Sequence, residues 1–162
     1  MAIDHSEIED DALFGRIILR WGLVEIAVVN IVLRVIHPRF GLTGHNGVPV
    51  AFGRKIKLAK RGYKELHSLA LLQEEAIPVL SELWSLSQTR NIIVHGYYQG
   101  VTGDDRYMFG FYDARGAIEG RSFKFHNFSR PEIETLADAI AKSREKLGVL
   151  SEKTFQIPFP PF

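Results

Sequence analysis

Residues 14–36 read FGRIILRWGLVEIAVVNIVLRVI. Phe14, Ile17, Ile18, Trp21, Val24, Val28, Ile31, Val32 and Val35 recur there at helical intervals. Such spacing stacks apolar side chains along one side of a helix, so the chain reads as mainly α. Upstream, IDHSEIEDDA is acidic, which suits the positive end of a helix dipole. Downstream, His37-Pro38 stops the helix, because the residue before proline is pushed out of the helical region. The predicted helix therefore covers 4–36. It is more apolar than one buried face requires, and pattern alone leaves open whether the excess serves a core or an interface.

Beyond it, residues 38–50 (PRFGLTGHNGVPV) form a loop by their Gly, Pro and Asn content. A second helix is predicted over 52–66, with Ile56, Ala59, Tyr63 and Leu66 inward and a basic stripe of Arg54, Lys57, Arg61 and Lys64 outward. A third helical region covers 68–95, its buried side marked by Leu69, Leu72, Ala76, Val79, Leu80, Leu83 and Leu86. Pro78 should bend or split it, since proline removes a donor and crowds the preceding turn.

After Gly96 the period changes to two. Tyr107, Phe109 and Phe111, then Phe123 and Phe125, alternate between turns in GVTGDD and DARGAIEG, as in an antiparallel meander over about 97–128. Ser129-Arg130-Pro131-Glu132 fits a capping box opening the last helix. Its predicted inner face is Ile133, Leu136, Ala137, Ile140, Arg144 and Leu147, with Gly148 as its stop. The expected architecture is a mainly α, four- or five-helix bundle with a small antiparallel β-hairpin or meander inserted before the last helix. One domain over 1–150 and a Pro/Phe tail over 151–162 complete it.

Composition narrows the function classes. The 162 residues suit one domain, and an apolar fraction of 46% supplies a core. A formal charge of +1 neither favours nor excludes nucleic acid, because clustering decides that. The chain has no cysteine, which removes disulfides, thiolate nucleophiles and Cys-based zinc sites. The six histidines lack metal-ligand spacing, so neither a metal nor a cofactor is expected. The acidic N-terminus is unlike a secretory signal, and the apolar stretch 21–36 is interrupted by Glu25, Asn30 and Arg34. A soluble, cytoplasmic protein with no membrane segment is the expectation.

The chemistry concentrates in Ser87-Gln88-Thr89-Arg90-Asn91-Ile92-Ile93-Val94-His95-Gly96-Tyr97. Asn91 and His95 are four apart and share a helix face, with Arg90 on its edge. A guanidinium to hold phosphate, an imidazole to move protons and an amide to orient a hydroxyl would meet at a helix C-terminus. Arg, four residues, then His, with Asn directly after the Arg, resembles the signature of HEPN domains. These are all-helical folds of prokaryotic toxins, defence proteins and RNA-processing enzymes. The resemblance covers the motif closely and the long-helix layout of roughly 10–148 loosely.

That resemblance implies a metal-independent endoribonuclease. RNA's 2′-hydroxyl attacks the adjacent phosphorus, His95 serves as general base or acid, Arg90 holds the phosphate and Asn91 supports the geometry. It also implies a homodimer with two motifs facing one cleft. In one group of such toxins a tyrosine two residues after the His is adenylylated by a nucleotidyltransferase-type antitoxin, and Tyr97 stands at that place. Tyr97 reads more simply as the first aromatic of the meander.

Plainer readings stand beside these. Arg90 could pair with Glu25, a carboxylate set among apolar neighbours that needs a partner. His95 could simply close a helix end. The stripe of Arg54, Lys57, Arg61 and Lys64 is either an RNA track or a solvated face. The alternative to an enzyme is a non-catalytic HEPN-like domain binding nucleotide, RNA or a protein partner, and the third reading is a helical interaction dimer.

Overall fold

The first helix, α1, runs over His5–Val35, within a residue of the expected bounds. The computed structural model describes residues 5–38, 41–45, 47–112 and 123–158. After α1 come α2 (Phe52–Glu65), a 3-10 segment (His67–Leu72) and α3 (Gln73–His95). Strands β1 (Tyr97–Val101), β2 (Arg106–Tyr112) and β3 (Phe123–Ser129) follow, and α4 (Arg130–Gln156) closes the order. Among the described residues the chain is thus mainly helical, with four α-helices and one small sheet before the last of them.

Two compact units divide the chain, one of Met1–Ile18 with Leu86–Ala139, the other of Leu19–Ser85 with Ile140–Phe162. The second unit is helix packed on helix. Trp21, Val24, Val28, Ile31, Val32 and Val35 of α1 are buried there, as are Ile56, Ala59 and Tyr63 of α2. Leu69, Ala76, Leu80, Leu83, Leu147 and Leu150 join that core, while Leu66 is half-buried. Gly62 makes one contact possible: a Cβ there would collide with both Cγ atoms of Val35. The Tyr63 hydroxyl lies 2.6 Å from Thr154 Oγ1. Thr154 gives its own hydrogen to the Leu150 carbonyl at 2.7 Å, so Tyr63 is the donor between them.

Three expectations for these helices are corrected. The third helical region does divide, but at Leu72–Gln73 and not at Pro78, which lies inside α3. So near the helix start proline forfeits one backbone bond, and the buried Ala76, Leu80 and Leu83 hold the rest. Helix α4 passes through Gly148, because a mid-helix glycine costs only about 1 kcal/mol and Leu150 and Thr154 are buried beyond it. The helix therefore includes residues expected in the tail. On its inner face the buried position is Ser143, while Arg144 is exposed. The Ile157 carbonyl accepts from Arg34 Nη2 at 2.6 Å, and residues 159–162 lie outside the description.

In the first unit the strands pair antiparallel in the order β1-β2-β3. The β1–β2 turn closes through Thr102 N–H to Arg106 O at 2.8 Å, with Asp105 at a positive φ of 56° that Asp tolerates better than most residues. The expected turn at 113–120 falls outside the described residues. Register sets the facing of the aromatics: Tyr107 and Phe109 pair with Phe128 and His126, whereas Phe125 pairs with Gly110. Partners directly opposite share a face. Phe125 consequently points away from Tyr107 and Phe109 and stays 56% exposed.

Phe14 of α1 packs on the inner face, its ring centroid 5.5 Å from Tyr107 and 5.9 Å from Phe109. The capping box forms as expected. The Ser129 backbone N–H donates to Glu132 Oε2 at 2.7 Å and its hydroxyl to the same oxygen at 2.9 Å. These bonds hold the Glu132 carboxyl below its usual range, with Arg106 adding to the effect.

Candidate active site

The end of α3 belongs to the first unit, anchored there by buried Ser87 and Ile93. One turn of helix separates Asn91 from His95, and Gly96 then lets the chain leave for β1. A Cβ at Gly96 would strike the carbonyl oxygen of Ile92, whose bond from the Gly96 N–H, at 2.8 Å, ends the helix.

The motif residues come together. Arg90 Nη1 donates to Asn91 Oδ1 at 3.1 Å and lies 3.3 Å from His95 Nε2. A guanidinium has hydrogens and no acceptor, so Nε2 accepts and the ring hydrogen sits on Nδ1. Arg90 and Asn91 are half-buried and His95 is exposed. The cluster joins a fixed positive charge and a titratable ring at a surface position, as phosphate binding and proton transfer require.

The other predicted residues are placed as follows. Tyr97 opens β1 as the first aromatic of the meander and is 70% exposed. The tyrosine beside it, Tyr98, makes the ring contacts, 5.5 Å from Phe109 and 6.4 Å from Phe14. Glu25 is in the second unit and Arg90 in the first. The Glu25 carboxylate accepts from the Trp21 indole at 3.2 Å.

Arg54, Lys57, Arg61 and Lys64 are all exposed on α2, in the second unit. Arg61 is engaged by Glu65 at 2.8 and 2.9 Å, which raises the guanidinium pKa and lowers that of the carboxyl. Lys60, on the flank, donates to Ser81 Oγ at 2.8 Å.

Sequence reading missed a second feature of the first unit. Asp10, Asp11, Phe14, Ile93, Tyr98 and Phe109 line a cavity of about 370 Å³. Asp10 accepts from the Tyr107 hydroxyl and from Arg130 Nη1, the latter at 3.1 Å. Burial, helped by Asp10, pushes the Tyr107 phenol up to about 12. The acidic opening of α1 is the only signal for it in the sequence, and the helix dipole by itself explains that acidity.

Among the described residues no group of three His, Asp or Glu side chains is placed to hold a metal ion, and no helix is long and apolar enough to cross a membrane. The chain matches no family model, no curated protein and no solved structure.

Proposed function

We propose that this protein is a HEPN-type endoribonuclease that cleaves RNA without a metal, acting as a toxin or defence effector. The observation that supports the reading is the placement of one Arg90 nitrogen within reach of both Asn91 and His95. In the resting site Arg90 occupies the His95 Nε2 lone pair. A substrate phosphate draws the guanidinium into charge-assisted bonds and leaves Nε2 free to accept the 2′-hydroxyl proton. The 2′-oxygen then bonds to phosphorus, the 5′-oxygen leaves with a proton from a general acid, and a 2′,3′-cyclic phosphate remains. Arg90 stabilises the charge that gathers on the phosphoryl oxygens.

His95 of a second copy would supply that acid in a homodimer whose motifs share a cleft. Tyr97, with its hydroxyl in solvent, is open to modification by a nucleotidyltransferase-type antitoxin, which would silence the site. Cleavage of end-labelled RNA in excess EDTA tests the reading. The parent protein should leave cyclic phosphate ends, and Arg90→Ala and His95→Ala should not. If the folded parent is inert on varied RNAs, the enzyme reading falls.

A further inference from the structure

The cavity of about 370 Å³ in the first unit joins an apolar bed to a polar rim. Ile93 and Phe109 make the bed and are 7% and 3% exposed. Two aromatic rings stand beside them. Tyr98 is 47% exposed, so one ring is open to a ligand, and its centroid lies 6.4 Å from Phe14. Asp10 and Asp11 complete the lining. Asp10 is committed to the Tyr107 hydroxyl and to Arg130. Asp11 is exposed and forms no hydrogen bond or ion pair among the described residues. An ionised carboxylate only accepts, and its two oxygens lie side by side. The ligand it suits is flat enough to lie on a ring and carries two neighbouring N–H donors on one edge.

Position narrows the choice. Ile93 belongs to α3 and stands between Arg90 and His95 in the motif. Residues three apart on a helix are neighbours, with Cβ atoms about 5–6 Å apart, so Ile93 borders Arg90. A base lying on Ile93 thus has the phosphate-binding guanidinium at its side.

We propose that this cavity is the base-binding subsite of the ribonuclease and that it selects guanine in single-stranded RNA. The inference rests on the ribonuclease reading of Arg90 and His95. Unpaired bases are read by stacking on aromatic side chains and by hydrogen bonds along the Watson–Crick edge. Guanine alone carries two adjacent donors there, N1–H and the N2 amino group. Adenine and cytosine set a ring acceptor beside their amino group, and uracil sets one N–H between two carbonyls. Each of those bases turns a lone pair toward Asp11, whereas guanine meets both carboxylate oxygens. Tyr98 supplies the stacking face, and a duplex is refused because pairing hides the edge that Asp11 reads. The guanidinium of an arginine from a protein partner has a similar fork of donors, but nothing in it calls for a seat against the motif helix.

Isothermal titration of the full chain with 3′-nucleoside monophosphates reads the cavity without any cleavage. The 3′-phosphate of guanosine should bind at least about tenfold more tightly than those of adenosine, cytidine, uridine and inosine, the last lacking only the N2 amino group. Asp11→Asn exchanges one acceptor oxygen for an NH₂ donor and should erase that preference. Because Asp11 is exposed, the variant's circular-dichroism melt should match the parent's. On RNA the parent should cut beside guanosines, and Asp11→Asn should cut without that bias.

Equal affinity for the guanosine and adenosine phosphates overturns the proposal. So does a guanine preference that survives in Asp11→Asn. Binding of N-acetylarginine amide, with none of the guanosine phosphate, also overturns it and gives the cavity to a protein partner. Failure of the ribonuclease reading looks different: RNA stays whole while the guanine preference and its loss in Asp11→Asn persist. That outcome upholds the guanine site and removes the enzyme around it.

Discussion

Arg90 Nη1 and His95 Nε2 stand 3.3 Å apart at the end of α3, so the imidazole accepts from a guanidinium that cannot itself accept. In the proposed ribonuclease the two side chains act together, and changing either should disable cleavage. His95→Ala and Arg90→Ala are each expected to lower single-turnover RNA cleavage by about 10²-fold or more, the scale of a lost general acid or base. Because His95 is exposed, its removal should shift stability by no more than about 0.5 kcal/mol. A thermal melt beside the cleavage assay separates the roles: a large drop in Tm for His95→Ala would make the residue structural.

The α2 stripe is tested by salt. If Arg54, Lys57 and Lys64 contact phosphates, each change to Gln should flatten the dependence of log K on log [salt] by about 0.7 for single-stranded RNA. Arg61→Gln should matter less, since Glu65 already holds that guanidinium. Slopes identical to the parent's would identify a solvated face.

Gly62 tests the packing of α1 on α2. Val35 is fully buried and β-branched, so it has little freedom to retreat from an added methyl group. Gly62→Ala should cost about 1–3 kcal/mol in urea unfolding despite alanine's better helix propensity. A stabilised variant would show that the two helices separate without penalty.

Tyr63 gives the protein an alkaline limit. Burial pushes its phenol up to about 12, opposed by the bond to Thr154 and reinforced by Glu75. The folded state therefore keeps its proton where the unfolded chain, with a pKa of about 10, has released it. This contribution is intact below pH ~10 and is lost as pH rises toward about 12, amounting to roughly 2–3 kcal/mol. Tyr107 adds to the fall in the same direction. In urea melts between pH ~9 and ~12, Tyr63→Phe should lose stability less steeply than the parent. An unchanged slope would remove Tyr63 as a source.

Local rules made much of this chain legible. Apolar spacing in α1, the proline after it and the Ser129–Glu132 box act through neighbours three or four residues away, and the structure keeps all three. Arg90, Asn91 and His95 were brought together by one turn of helix, so their clustering was readable for the same reason. Local pattern failed where a distant segment decides. Gly148 looked like a stop until Leu150 and Thr154 were buried beyond it. Alternation left the facing of Phe125 open, and its pairing with Gly110 sets it away from Tyr107 and Phe109, because successive side chains on a strand take opposite faces.

By itself the sequence determined that this is a mainly helical chain with a small antiparallel β interruption before the last helix and a cluster of Arg90, Asn91 and His95 at the end of one helix. Only the tertiary structure decided which side of α1 is core and which is left as a row of leucine and isoleucine in solvent. It alone joined Asp10 to Tyr107 and Tyr63 to Thr154, residues 97 and 91 apart. The physical reason is common to these cases. Periodicity records that a residue is apolar or can form a hydrogen bond, but burial is settled by which remote surface arrives to exclude water.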